Sequence, residues 1–261
     1  MFCISVWNIV QMMENQAMGL YHNSYGMGYG YGYGYFSYLL FMLPALILGL
    51  WAQSNVKSTF KKFNRISNSR NVTGAQIARM ILDQNGLRNI RIEGISGSLT
   101  DHYDPKAGVI RLSDSVYGST SIGAIGVAAH EAGHAVQHAE GYVPIRIRNT
   151  IIPVCNFGSS VGPFLIMLGC VFASRPLIIF GIGLYSLIAL FQLVTLPVEF
   201  DASARALNVI SSSGTFTEQD TRGAKKVLKA AALTYVAALV TSIMQILYYI
   251  TRYLGGSRRD D

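Results

Sequence analysis

The chain has 261 residues, of which 51% are hydrophobic and 13% are charged. Soluble domains carry about 25% charged residues, so this composition excludes an ordinary soluble protein and indicates that lipid surrounds part of the chain. The net charge of +7 does not indicate a nucleic-acid-binding protein, because the basic residues follow apolar segments instead of marking one continuous basic face.

The N-terminal segment, residues 1–35, contains no Lys or Arg and is rich in tyrosine and glycine near its end. Residues 25–36 contain too much glycine for a helix, so we expect a tail whose tyrosines lie at the membrane–water boundary. The uncharged apolar run that follows predicts a first transmembrane helix over residues 36–53.

Residues 54–150 have the mixed pattern of an α+β domain. Thr73 predicts the N-cap of a helix that ends before Gly86. An apolar helix is predicted over residues 119–140, buried inside the domain. Three segments predict short strands, with turn residues at 104–108 between the last two: residues 90–93, 99–103 and 109–112. We expect the last of them to form the sheet edge nearest the substrate cleft, where an extended peptide could pair with it.

The second half of the chain contains three more apolar runs. The first two are separated by three residues and predict a transmembrane helical hairpin over residues 151–196. Pro197 predicts a helix break before a polar segment, residues 197–229. A fourth transmembrane helix is predicted over residues 230–254, and residues 255–261 form a short tail.

The distribution of basic residues predicts the orientation in the membrane. Five basic residues lie at 57–70 and five at 205–229, whereas the tip of the hairpin carries only Arg175. The positive-inside rule therefore places the N-terminus outside and both polar segments in the cytoplasm. Three arginines oppose this orientation: Arg252, Arg258 and Arg259.

The residues most indicative of chemistry are His130-Glu131-Ala132-Gly133-His134, a His-Glu-x-x-His pattern on the predicted buried helix. The two histidines lie one turn apart on one face and can both bind one zinc ion. Glu131 can then take a proton from the water that attacks a peptide carbonyl. The three cysteines form no Cys-x-x-Cys pair, which argues against a cysteine zinc site.

A catalytic zinc site needs a third protein ligand. His138 lies a further turn along the same helix and is better placed as a supporting or surface residue. Glu199 follows the predicted hairpin. Because the two crossings of the hairpin return the chain to the side of the membrane where the helix of His130 and His134 lies, we favour Glu199 as the third ligand. The other candidates are Asp201, His22 and His102.

The segment Ala128-Ala129-His130-Glu131-Ala132-Gly133-His134-Ala135-Val136-Gln137-His138, together with Glu199-Phe200-Asp201-Ala202-Ser203, resembles the YugP-type neutral zinc metallopeptidases. Residues 99–105 and 231–236 add to the resemblance, which covers about residues 35–254. It implies a membrane location, Zn²⁺, peptidase activity and a gluzincin-like ligand set in which Glu199 is the third ligand.

The chain departs from the gluzincin pattern at one position. Gluzincins commonly place an acid four residues after the ligand Glu to orient a zinc histidine, and here that residue is Ser203. Asp201 could substitute for the missing acid.

Arg205 could hold a carboxylate or the substrate carbonyl oxygen, with a simple surface role as the alternative. His102 and Tyr103 could donate to the developing oxyanion, or pack at a strand end.

We therefore predict an α+β membrane protein with about four transmembrane helices and a cytosolic zincin-like metalloprotease domain. We expect it in a bacterial cell membrane, with protein or peptide substrates, the lipid bilayer and membrane-protein partners or further copies as its contacts. An intramembrane protease of the site-2 class would need an Asp-Gly ligand motif, which the sequence lacks. A non-catalytic zinc-stabilised membrane scaffold is the alternative, although a structural site needs no general base such as Glu131.

Overall fold

The computed structural model describes residues 31–254. Among these residues the chain is mostly helical, with one small sheet. The six helices are α1 (Tyr31–Phe63), α2 (Gly74–Gln84), α3 (Ile122–Ala139), α4 (Val143–Val171), α5 (Arg175–Ser212) and α6 (Glu218–Tyr253). The three strands are β1 (Arg91–Ile95), β2 (His102–Asp104) and β3 (Val109–Ser113).

Four of the helices are long and apolar enough to cross a membrane, namely α4, α5, α6 and the part of α1 from Ser37 to Phe63. This confirms the predicted number of candidate membrane spans. The described residues form two compact units. The first contains residues 51–146 and 195–235, and the second contains residues 31–50, 147–194 and 236–254.

In the first unit, the core is formed by apolar side chains of α2, α3, the sheet and parts of α1, α5 and α6. The helix α3 is buried at every residue from 122 to 137, as its apolar sequence predicts. Its N-cap is Ser121, whose hydroxyl accepts from the Ala124 N–H at 3.0 Å and donates to Asn64 Oδ1 at 2.6 Å. These contacts fix the start of α3 and hence the position of the residues it carries.

Two predicted helix starts are confirmed by their caps. Thr73 caps α2 in a capping box with Gln76, in which each residue's side chain accepts from the other's backbone N–H. Thr217 and Asp220 make the same reciprocal pair at the start of α6. Asp220 also accepts a hydrogen bond from the Ser69 hydroxyl at 2.6 Å, which connects this cap to the segment before α2.

The sheet has the order β1-β3-β2, with β3 parallel to β1 and antiparallel to β2. The expectation that Val109–Leu112 forms the sheet edge is therefore wrong, because β3 is the central strand. Its residues are almost fully buried, whereas those of β2 are half-buried. The edge strand that packs against α3 is β2.

Two other expectations about the helices are also wrong. The helix α1 begins at Tyr31, inside the segment that is predicted to contain too much glycine for a helix. Extending an existing helix costs far less free energy than starting one, so the apolar helix continues into this segment. The remainder of the predicted tail, residues 1–30, lies outside the described residues. Pro197 does not break α5, which continues through it to Ser212. A proline removes one backbone hydrogen bond, and a long apolar helix tolerates that loss.

The second unit is built from helices that approach each other closely at glycines. A Cβ atom on Gly162 would lie 2.8 Å from the Gly181 carbonyl oxygen, and a Cβ on Gly181 would lie 2.8 Å from the Gly162 carbonyl oxygen. Only glycine permits this distance between α4 and α5, as expected where helices pack in lipid. The Tyr38 hydroxyl donates to Gln245 Oε1 at 2.9 Å in the same unit.

Candidate metal centre

The helix α3 presents His130 and His134 on one face, as the four-residue spacing requires. Their ring centroids are 4.6 Å apart and the rings are nearly perpendicular. Both side chains are buried. Each Nε2 atom points toward the same carboxylate oxygen, which belongs to α5.

That carboxylate is Glu199, whose Oε2 lies 3.3 Å from His130 Nε2 and 3.6 Å from His134 Nε2. The three candidate ligand atoms lie within 4.8 Å of one another. Two imidazole nitrogens and one carboxylate oxygen are a donor set that catalytic zinc sites use, with a further position left for water or substrate. The residues present therefore fit a zinc ion.

The approach of α5 to α3 depends on Gly133. A Cβ atom at this position would lie 2.8 Å from the Ala202 carbonyl oxygen and 3.4 Å from Ala202 Cα. Real Cβ atoms do not approach a backbone oxygen so closely. Glycine between the two histidines thus allows the backbone segment that carries Glu199 to lie directly against α3.

The two histidines are supported in different ways through their Nδ1 atoms. Ser203 Oγ lies 3.2 Å from His130 Nδ1, so the residue at the usual acid position contacts a histidine through a hydroxyl. Gln137 Oε1 lies 3.0 Å from His134 Nδ1. A hydrogen bond at Nδ1 orients the ring and leaves Nε2 as the donor atom for a metal.

Gln137 belongs to a chain of polar contacts that ends at the protein surface. Its Nε2 donates to Val198 O at 2.8 Å and to Asp201 Oδ2 at 2.7 Å. Arg205 Nε donates to the same Asp201 oxygen at 2.6 Å, and Arg205 Nη1 donates to Glu140 Oε2 at 2.7 Å. Asp201 thus contributes to the support of His134, whereas Arg205 is engaged by two carboxylates.

Glu131 is buried beside the histidines, and its Oε2 accepts a hydrogen bond from the Tyr103 backbone N–H at 3.0 Å. This contact connects the edge strand β2 to α3. Asp101 lies near Glu131 and accepts from the Ser113 N–H at 2.7 Å. The pKa of Asp101 is raised, mainly because the carboxyl group is buried. The negative charge of Glu131 also raises this pKa, whereas the hydrogen bonds from Ser113 oppose the shift.

The other predicted site residues lie outside the group of three. His138 is exposed, and its Nδ1 is 3.5 Å from the Tyr103 hydroxyl. The His102 Nδ1 is 2.9 Å from Thr100 O, and its Nε2 is 3.4 Å from Arg111 Nη1. His22 lies outside the described residues. An oxyanion role for His102 or Tyr103 stays a prediction.

Two polar residues that the fold brings to this site, Gln137 and Asp101, are not among the site residues predicted from the sequence. Gln137 lies three residues after His134, and this spacing places two side chains next to each other on a helix. The spacing therefore indicates from the sequence that Gln137 can contact His134. Asp101 directly precedes the edge strand and gave no such signal, because its approach to Glu131 depends on how the sheet packs against α3.

Comparisons with known proteins agree with this chemistry. The family model described as "Putative neutral zinc metallopeptidase" matches residues 38–254. A protein of Bacillus subtilis (strain 168), named "Putative membrane protease YugP", is 48% identical over 219 residues, which cover 84% of this chain and 97% of that relative. No solved structure matches the chain.

Proposed function

Because the chain belongs to the neutral zinc metallopeptidase family, we propose that it is a zinc-dependent membrane endopeptidase with a gluzincin-like site. The observation that carries this proposal is the buried group of His130, His134 and Glu199, with Glu131 beside it and outside the ligand set. A site built only for structure would need no such additional carboxylate.

In the proposed reaction, zinc held by His130, His134 and Glu199 supplies Lewis-acid chemistry. Glu131 removes a proton from the attacking water, whose oxygen forms a bond to the peptide carbonyl carbon. Glu131 then gives that proton to the amide nitrogen as the carbon–nitrogen bond breaks, which leaves a carboxyl group and an amine. The hydrogen bond from the Tyr103 N–H leaves one Glu131 oxygen available for the proton and fixes the orientation of the side chain.

The proposed substrates are membrane proteins or segments next to the membrane. Four of the described helices are long and apolar enough to cross a bilayer, and the candidate metal centre lies on the same chain. The proposed orientation places the active site in a zincin-like domain in the cytoplasm, because the basic residues concentrate at 57–70 and 205–229.

The activity is tested with the full chain purified in detergent. The zinc-loaded protein should cleave an unfolded protein substrate, a metal chelator should stop cleavage, and added zinc should restore it. A zinc-loaded, folded protein that cleaves neither an unfolded substrate nor a membrane-protein substrate would favour the scaffold alternative.

The orientation is tested by thiol labelling in intact cells, in a chain whose own cysteines are replaced by alanine. Lys106 lies on an exposed turn of the first unit. A cysteine introduced there by Lys106→Cys should not react with a membrane-impermeant reagent until the cells are permeabilised. Ser174→Cys, at the tip of the hairpin, is the matched control and should be labelled without permeabilisation. The reverse pattern would place the active site outside the cell.

A further inference from the structure

Gln137 on α3 makes side-chain hydrogen bonds to α5, the other ligand-bearing helix. It is fully buried, and its amide has three polar neighbours: His134 Nδ1 at 3.0 Å, Val198 O at 2.8 Å and Asp201 Oδ2 at 2.7 Å. The first of these belongs to a metal ligand on α3. The second is the carbonyl of the residue directly before Glu199 on α5.

The orientation of the Gln137 amide follows from what its neighbours can do. A backbone carbonyl such as Val198 O only accepts hydrogen bonds. Asp201 Oδ2 already accepts from Arg205 Nε, which can only donate. The end of the amide that faces these two acceptors must therefore be the NH₂ group, and its oxygen must face His134.

The proton on His134 is fixed by the same reasoning. Because Gln137 Oε1 is an acceptor, the contact at 3.0 Å requires a hydrogen on His134 Nδ1. The Nε2 atom of the neutral ring then carries the lone pair, and this atom faces Glu199 at 3.6 Å. The amide thus selects the tautomer that can bind a metal in the position where the other two ligand atoms lie.

We propose that Gln137 is the positioning residue of the metal centre: it selects the His134 tautomer and holds the Glu199 segment through Val198, and Asp201 acts on the metal only through it. The proposal rests on the proposed zinc site, but not on the identity of a substrate. Arg205 stabilises this arrangement, because it donates to the same Asp201 oxygen that accepts from the Gln137 amide. Arg205 also donates to Glu140, just after α3, and so connects Asp201 to the end of that helix.

The test measures zinc affinity of the full chain in detergent by competition with a chelator. Gln137→Met keeps the approximate length of the side chain and removes all three hydrogen bonds. We expect a loss of affinity of roughly 10–100-fold, the usual cost of removing a residue that orients a metal ligand. Gln192→Met replaces another buried glutamine, on α5 but in the second unit, and should leave zinc affinity unchanged.

A second variant separates the proposed role from general packing. Gln137→Glu keeps an acceptor for His134 but replaces the NH₂ group with an oxygen that would face Val198 O and the Asp201 carboxylate. It should also lose zinc affinity, and the cobalt-substituted protein should show a changed visible spectrum in both variants. Thermal unfolding of the metal-free proteins checks that each variant is folded.

The dependence of Asp201 on Gln137 is tested by combining variants. Asp201→Ala should weaken zinc binding in the wild-type chain and have little further effect in Gln137→Met. Wild-type zinc affinity in folded Gln137→Met, or an Asp201→Ala effect of undiminished size in that background, would overturn the proposal. Because the measurement is zinc affinity, a wild-type protein that binds zinc and cleaves nothing would refute the proposed function and still leave this inference tested.

Discussion

The helices α3 and α5 contribute to the same candidate metal centre but differ in almost every other respect. The helix α3 has 18 residues and is buried on all sides over residues 122–137. The helix α5 has 38 residues, contains Pro197 and has the hydropathy of a membrane span. The first carries two candidate ligands and Glu131 within five residues, whereas the second carries one candidate ligand, Glu199.

This difference shows which part of the site is encoded locally. The relative position of His130 and His134 follows from helix geometry alone, because residues four apart lie on one face. Glu199 is brought to them only by the docking of one helix against another, at Gly133, Gln137 and Ser203. We therefore expect substitutions on α3 to affect chemistry directly and those at the contact with α5 to affect metal binding.

The largest effect on chemistry alone is expected for Glu131→Gln. The variant keeps an oxygen that can accept from the Tyr103 N–H, but it cannot take up a proton. We expect zinc affinity close to that of the wild type and a fall in kcat of roughly 10²–10⁴-fold, the range for loss of general acid–base catalysis. Cleavage kinetics with parallel measurement of bound zinc check this, and a wild-type rate in the variant would remove Glu131 from the mechanism.

On α5, Glu199→Ala should lose zinc and activity together, because two protein ligands do not complete the proposed site. Asp201→Ala should weaken both by less, since Asp201 contacts Gln137 and not the group of ligand atoms. Bound zinc per chain, measured after dialysis, distinguishes the two variants. If Glu199→Ala retains one zinc while Asp201→Ala or His102→Ala loses it, the third ligand is that other residue.

The same contrast explains what the sequence could predict. The caps at Thr73 and Thr217 and the face shared by the histidines depend on residues close in the chain, and all three are present in the fold. The predicted sheet edge is wrong because strand order depends on pairing between distant segments, and β3 lies between β1 and β2. The contacts of Gln137 could not be predicted from the sequence for a related reason, because its partners Val198 and Asp201 are more than 60 residues away.

The docking contact itself is tested at Gly133. Gly133→Ala places a Cβ atom 2.8 Å from the Ala202 carbonyl oxygen, so one backbone must move. We expect a destabilisation of about 1–3 kcal/mol, the usual cost of overpacking, together with weaker zinc binding. Gly126→Ala is the matched control on α3, since its Cβ would lie 3.4 Å from Ala224 Cβ, an ordinary contact.

Gly126→Ala should stabilise the protein by up to about 1 kcal/mol, because alanine is the better helix former. Thermal unfolding of the metal-free chain and zinc competition measure the two variants together. Equal stability and equal zinc affinity of Gly133→Ala and the wild type would show that α3 and α5 do not need this close approach.

The smallest effect is expected at Ser203, where α5 contacts the other histidine. Ser203→Ala removes one neutral hydrogen bond, between its hydroxyl and His130 Nδ1 at 3.2 Å. Such a bond contributes about 1 kcal/mol, which corresponds to a loss of zinc affinity of roughly five-fold. We therefore expect Ser203→Ala to weaken zinc binding less than Gln137→Met, because only the latter also releases the segment that carries Glu199.

Ser203→Asp gives the opposite test of the same contact. Ser203 is half-buried, so a carboxylate there keeps some access to water and can accept from His130 Nδ1–H. A charge-assisted hydrogen bond is about twice as strong as a neutral one, so the aspartate variant should bind zinc at least as tightly as the wild type. A greater loss of zinc in Ser203→Ala than in Gln137→Met would reverse the comparison, and would make the hydroxyl on α5 the main support of the centre.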